Sequence, residues 1–425
     1  MLRFVYATLT YLLTPWLLLH LYWRSLSNPP YRERIGERFG RSGIQLPGPS
    51  IWVHAVSVGE VQAAATLVRS LLERYPDRQL VLTTMTPTGS QRARDLFGDE
   101  VVHSYVPYDL ASAVRRFFDR MRPCLVLIIE TEIWPNLFRE CGLREIPLVL
   151  ASARVSLKSV GRYRRLVGLF RETLSHGIVI AAQSEADADR FESLGANPER
   201  IHVTGNLKFD FHLDPRIPAA GKAFREENAP RRPVWIAAST HDGEEQSVLA
   251  AHVKVLAQIP DALLLIVPRH PERFQLVAGL VGRAGLTCVS RSSKQQCTAA
   301  TNVFLGDSMG ELMMFYAAAD VAFVAGSLAP IGGHNLLEPA ALGLPVLTGP
   351  YTFNAADIAK LLIDDGSTTV IHDADELAGE VIELLRDERT RDLRGGAGRQ
   401  VIENNRGTLE RLLELVDPLI PPASR

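Results

Sequence analysis

Residues 51–97 read IWVHAVSVGEVQAAATLVRSLLERYPDRQLVLTTMTPTGSQRARDLF. The run 51–57 predicts a strand, 61–74 a helix, 80–86 a second strand and 90–97 a second helix. Working outward, the same alternation gives further strands at 101–106, 125–130, 148–152, 178–183 and 201–204. Strands that are apolar on both faces and separated by helices form a parallel sheet covered on each side, and right-handed crossovers make it doubly wound. Residues 214–233 break the pattern with Pro215, Pro218, Pro230 and Pro233 among polar residues, the composition of a linker. The alternation then restarts at 234–238, 263–268, 287–290, 303–306, 321–325, 346–348 and 369–372. The expectation is an α/β chain with two Rossmann-like doubly wound domains, 50–213 and 233–405, facing a cleft, and a helical tail over 406–425. Ligands of such sheets sit outside the carboxyl ends of the strands, so the chemistry is sought in the strand-end loops.

The chain has 425 residues, 46% of them hydrophobic and 22% charged. That length exceeds one ordinary domain of about 100–200 residues, and the composition excludes a disordered, collagen-like or coiled-coil chain. Its 46 basic and 48 acidic residues offer no global field for nucleic acid, which is not expected as a partner. Cys124, Cys141, Cys288 and Cys297 form no CxxC pair, so structural zinc and redox exchange have no support and a reducing compartment fits.

From Leu2 to Trp23 the chain is almost wholly apolar, interrupted by Arg3, Thr8, Thr10, Pro15 and His20. At about 1.5 Å per residue such a helix would reach across a hydrocarbon core about 30 Å thick, and residues 1–24 are expected to be a hydrophobic membrane anchor. A secretory signal peptide is the competing reading, but no small-residue cleavage site follows. Instead Tyr22 and Trp23 precede Arg24, Arg32, Arg34, Arg38 and Arg41, the order of an interfacial belt and a cytoplasmic flank. The alternative is a greasy helix lying on the bilayer or packed on the protein, because Pro15 interrupts it.

Glu60, in SVGE, stands in the first turn of a helix that follows a strand. It either complements the helix dipole or serves as a general base that reaches an acceptor hydroxyl. Glu130 and Glu132, in IIETEIWPN, end another apolar strand, where they cap the Pro135 turn or act at the mouth of a site. Lys208, in GNLKFD, is a solvated linker lysine or the partner of a phosphate or carboxylate. In the second half, PRHPERF puts Arg269 and His270 directly after a buried strand, where guanidinium donors and helix N–H groups converge on an anion. GDSMGEL over 306–312 and APIGGHNLLEPAALGLPVLTGP over 329–350 are glycine-containing turns entering helices. Backbone amides around Gly310 or over 332–335 can take a nucleotide phosphate, and Glu338 can accept hydrogen bonds from ribose hydroxyls.

Neither GxGxxG nor a Walker sequence is present, so a dinucleotide enzyme or P-loop ATPase is not expected. The DxD spacings at Asp187 and Asp189 and in HDADE over 372–376 read as helix capping. No two-histidine metal spacing occurs, so no metal or cofactor is expected. Arg154, Lys158, Arg162, Arg164 and Arg165 form a basic stretch, either a solvated helix face or a contact for anionic lipid headgroups.

Taken in order, WVHAVSVGEV, IIETEIWPN, ASARVS, VTGNLKFD, ASTHDGEE, VPRHPERF, GDSMGEL and GGHNLLEPAALGLPVLTGPYTFN resemble the motifs of the 3-deoxy-D-manno-octulosonic acid (Kdo) transferases over essentially the whole chain. Each motif is weak alone; the ordered set is highly specific. One departure is Ala355, where many relatives carry an aromatic residue after the equivalents of Phe353 and Asn354. The resemblance implies the GT-B architecture and a metal-independent, inverting glycosyltransferase. Its substrates would be CMP-Kdo and the lipid A precursor, met at the cytoplasmic face of the inner membrane of Gram-negative bacteria. It implies Glu60 as the proton acceptor, with Glu130 and Lys208 supporting the transition state. It also implies CMP contacts at Pro268, Arg269, Met309, Gly310, Glu311, Asn335, Leu336, Leu337 and Glu338. Two other classes share a two-lobed form: a nucleotide-sugar epimerase, which needs no lipid acceptor, and a periplasmic solute-binding protein, which would lose its N-terminus to signal peptidase.

Overall fold

The computed structural model describes residues 2–156, 160, 161, 168, 173 and 177–422. Of the basic stretch, Lys158, Arg162, Arg164 and Arg165 lie outside the described residues. The chain divides into two compact units, Met1–His212 with Asn405–Arg425, and Leu213–Asn404.

In the first unit β1 (Ser50–His54), β2 (Gln79–Thr84), β3 (Val102–Tyr105), β4 (Pro123–Ile129), β5 (Leu148–Ala153), β6 (Val179–Ala182) and β7 (Ile201–Val203) form one sheet in the order 3-2-1-4-5-6-7. In the second unit β8 (Val234–Thr240), β9 (Leu263–Pro268), β10 (Cys288–Ser290), β11 (Val303–Leu305), β12 (Val321–Val324), β13 (Val346–Thr348) and β14 (Thr368–Val370) follow the order 10-11-9-8-12-13-14. Every neighbouring pair is parallel, as expected of strands apolar on both faces. Successive residues point to opposite faces of a strand, and β1 shows the consequence. Trp52, 0% exposed, packs with Phe117 and Phe118 at ring-centroid distances of 4.5 and 5.6 Å. Its neighbours Ile51 and Val53 belong to the other apolar layer with Leu67, Val68 and Leu82.

The expected helix at 90–97 begins earlier, as Pro87–Phe97, because Thr86 Oγ1 accepts the Gly89 N–H at 3.0 Å and Pro87 takes the first helical position. Likewise the helix after β1 starts at Val58 and runs in two pieces, Val58–Ala63 and Ala65–Arg74, so Glu60 lies in a first turn. The DxD readings describe caps: Asp373 Oδ1 accepts the N–H groups of Asp375 and Glu376 at 2.8 and 2.9 Å. The last helix, Thr408–Val416, returns to the first unit, where Leu412, Leu413 and Val416 join the layer of Ile51 and Val53. There Arg74 pairs with Glu410 and Asp417 at 2.9 and 2.7 Å.

The membrane-crossing form of the anchor expected over residues 1–24 finds no support. A helix forms over Leu2–Ser27, yet among the described residues no helix is long and apolar enough to cross a membrane. Thr8, Thr10, Thr14, Pro15 and His20 interrupt its apolar character, and the Thr10 and Thr14 hydroxyls bond back to the carbonyls of Ala7 and Thr10. The helix instead packs on its own unit. Leu21 is buried with Tyr108, Leu110 and Ala113, while Tyr11 donates to Ser112 at 2.9 Å. Two arginines of the expected flank are engaged within the protein: half-buried Arg34 makes a two-pronged pair with Glu37, and Arg38, 1% exposed, lies over the Tyr105 ring.

Candidate active site

Each sheet reverses its strand order near its centre, between β1 and β4 in the first and between β8 and β12 in the second, where β10 and β11 are also exchanged at the edge. At such a point the loops leaving adjacent strands diverge and open a crevice outside their carboxyl ends.

At the first of these points Glu60 folds back so that its carboxylate accepts the Val56 N–H. Directly after β4 stands Glu130, held at φ +59°, a left-handed conformation that costs a non-glycine residue about 1–2 kcal/mol. Its carboxylate lies 2.7 Å from Lys208 Nζ and 3.4 Å from Arg154 Nε. Lys208 is placed by the turn Leu207–Phe209: Asn206 Oδ1 accepts the Lys208 N–H at 3.0 Å, and the Leu207 N–H donates to Ser152 Oγ at 3.3 Å. Glu132 accepts the Trp134 indole N–H at 2.6 Å. Burial pushes the Glu60 carboxyl up to about 7; Glu130 and Glu132 push the same way, and Lys208 and the Val56 N–H oppose them. Burial also raises Glu132. A carboxylate poised near neutrality in a crevice is suited to take a proton and later release it.

The competing role for Glu130 and Glu132, capping the helix Pro135–Leu143, is filled by another residue. Asp109 accepts the N–H groups of Asn136 and Leu137 at 3.0 and 2.8 Å and the Tyr6 hydroxyl at 2.8 Å. Sequence reasoning missed Asp109, which stands 27 residues before Asn136 and carries no local motif.

In the second unit a cavity of about 260 Å³ opens where β8, β9, β11 and β12 end. Pro268, Arg269, Met309, Gly310, Asn335 and Glu338 line it together. Glu311 does not: it turns to Arg291, with Nη2–Oε1 at 2.7 Å, and to Ser308 Oγ at 2.5 Å, and Arg291 holds its carboxyl below the usual range. Leu336 and Leu337 are 3% and 1% exposed, as part of the core. Asn335 shapes the turn, its Oδ1 accepting the Leu337 N–H and its amide donating to Glu338, both at 3.1 Å. Burial raises the Glu338 carboxyl against Asn335 and Arg269. Gly310 has φ +84°, a conformation open to glycine at little cost.

Ser239 and Tyr316 also line the cavity and were not anticipated; His334 lines it too, and it was anticipated only through the backbone amides of 332–335, not for its side chain. Glu244 was missed as well. Its buried carboxylate accepts N–H groups from His241, Gly326, Ser327 and Leu328 at 3.1, 2.8, 3.0 and 2.9 Å, fixing the loop after β12. In the sequence it reads only as an acidic residue opening a helix. Among the described residues no group of three or more His, Cys, Asp or Glu side chains could hold a metal ion.

Two doubly wound units with strand-end crevices make the GT-B architecture, and the match of residues 238–401 to the family described as glycosyl transferases group 1 makes the chain a glycosyltransferase of that architecture. The fold is similar to that of a glycosyltransferase from Rickettsia africae ESF-5, with a TM-score of 0.55 and 13% identity over 88% of this chain and all of that one. Residues 33–211 match the family described as 3-Deoxy-D-manno-octulosonic-acid transferase (kdotransferase). A 3-deoxy-D-manno-octulosonic acid transferase from Haemophilus influenzae is 42% identical over 98% of this chain and 99% of its own length. One from Bordetella pertussis is 37% identical over 89% and 90%. The chain belongs to the 3-deoxy-D-manno-octulosonic acid transferase family.

Proposed function

We propose that this chain transfers Kdo from CMP-Kdo to the lipid A precursor at the cytoplasmic face of the inner membrane, a step of lipopolysaccharide synthesis. The observation that carries the reading is Glu60: a half-buried carboxyl raised to about 7, at the central strand-order reversal, in a chain whose whole length matches this transferase family. A sugar hydroxyl is a weak nucleophile, so Glu60 takes its proton as it attacks the anomeric carbon. Attack from the face opposite the phosphate inverts that centre. The leaving CMP gains negative charge, which Arg269 and the backbone around Gly310 are suited to meet. Glu130 and Lys208, as one ion pair, set the field in which Glu60 changes charge.

The N-terminal helix supports contact with a lipid surface. Leu12, Trp16, Leu19, Trp23 and Leu26 are each at least 60% exposed and recur every three or four residues, which puts them on one stripe. An exposed apolar stripe with aromatic residues is the form of a helix that lies in a bilayer interface. The purified chain, given CMP-Kdo and lipid A precursor, should yield a lipid heavier by one or more Kdo residues with release of CMP. A lipid of unchanged mass overturns the proposal.

A further inference from the structure

We propose that His241 and His334 form one proton-sharing unit that takes up a single proton when the donor binds, supplying the second positive charge needed by an anionic sugar nucleotide. The inference rests on the donor reading above. The two rings are nearly parallel, with centroids 5.0 Å apart and planes at 6°, and their Nε2 atoms stand 2.8 Å from each other. Two lone pairs cannot face one another at that distance, so a proton sits between them. A neutral pair carries two protons, one in the bridge and one on a single Nδ1. The other Nδ1 is the place for one more, and a further proton would set two Nε2–H groups against each other. The pair therefore titrates as a unit between zero and one positive charge.

The site is shaped for this contact. Gly326, at φ +72°, follows β12, and a Cβ there would come within 2.7 Å of His334 Cδ2 and 2.9 Å of its Nε2. His334 shares the cavity wall with Arg269, and among the described residues lining that cavity Arg269 is the only lysine or arginine. Nearby arginines are engaged elsewhere: Arg273 with Glu245 at 3.0 Å and Asp242 at 2.9 Å, and Arg291 with Glu311 at 2.7 Å. A CMP-activated acidic sugar brings two negative charges, one on the phosphodiester and one on the carboxylate. One guanidinium matches one of them, and the charged histidine pair matches the other.

The groups around the pair favour its neutral form until an anion arrives. Burial pushes His334 down to about 4, and His241, Arg269 and His270 act in the same direction. Burial also lowers His241; Arg269 and His270 add to this, while Glu244 and Glu245 oppose it. A bound dianion adds an opposing field at both rings and favours the protonated pair.

Calorimetric titration of the full chain with CMP, in buffers of different ionisation enthalpy, counts the protons. CMP is expected to bind with uptake of up to about one proton, its affinity falling by as much as about tenfold per pH unit above neutrality; cytidine, which lacks the phosphate, should bind with none. In His334→Gln and His241→Gln the uptake should fall by more than half and the pH dependence flatten, while nucleotide binding remains measurable. CMP binding without uptake in the unaltered chain overturns the proposal and leaves the donor reading standing. Undiminished uptake in both variants does the same. Failure of the unaltered chain to bind CMP overturns the donor reading and the histidine pair with it.

Discussion

The central strand-order reversals of the two parallel sheets sit at equivalent places and hold opposite chemistry. Between β1 and β4, Glu60, Glu130 and Glu132 gather around Lys208 and Arg154, and burial drives the Glu60 carboxyl up to about 7. Between β8 and β12, His241 and His334 adjoin Arg269, and burial drives His334 down to about 4. Desolvation favours the neutral form in both cases. In the first crevice that suits a carboxylate to the base role proposed above; in the second it suits an imidazole to the proposed charging when an anion binds. A common backbone plan thus supplies two partly dry crevices, and residue type decides which half of the reaction each can serve.

That contrast can be broken or sharpened by experiment. Glu60→Gln should lower kcat by about a thousandfold, or about 4 kcal/mol in activation free energy, and leave CMP affinity within about twofold because no group of the second crevice changes. Steady-state transfer and calorimetry read the two quantities, and near-normal turnover would remove the base from the first site. Glu244→Ala deletes the acceptor of five backbone N–H groups and should cost about 3 kcal/mol in denaturant unfolding, with CMP binding weakened. A variant of normal stability and affinity would show that this carboxylate does not shape the donor loop.

The pH dependence gives a third, smaller effect. Glu60 must be ionised to accept a proton, so transfer should rise with pH through about 7. Its contribution to stability runs the other way. The folded carboxyl lies above its ordinary value of 4.5, so the contribution is fully present below that value and is lost as pH rises through about 7. Rates and unfolding midpoints followed across pH 5–9 test the opposed trends. The smallest effect expected is in the position of the rate profile. Lys208→Met removes the cation that lowers Glu60 and should move the rise to higher pH; Glu130→Gln removes an anion that raises it and should move the rise to lower pH. A shift in the same direction for both variants would separate Glu60 from this ion pair.

The wound architecture was readable because a strand buried on both faces must be a short apolar run, and all fourteen such runs became strands. Glu130 and Arg269 were readable as candidates because they directly follow those runs, and Glu60 and Glu338 because they stand in the first turns of helices entered from strand-end loops, where ligands of such sheets bind. Their partners were not. The Lys208 contact with Glu130 joins residues 78 apart, Glu244 reaches Gly326 across 82, and the histidine pair spans 93. No local pattern reports a contact between loops that leave different strands. The N-terminal helix illustrates the converse. Its apolar composition was plain, but which residues pack on the protein was not: Leu21 is buried against Tyr108, Leu110 and Ala113, while Leu12, Trp16 and Leu19 stay exposed.

The order of residues by itself determined where the strands run, that two sheets form, and which strand ends carry acids or bases, because those properties follow from local periodicity and side-chain chemistry. Only the tertiary structure decided which carboxylate caps a helix, which is held in an ion pair and which is left near neutrality, because charge state depends on burial and on neighbours that the chain brings together from far apart.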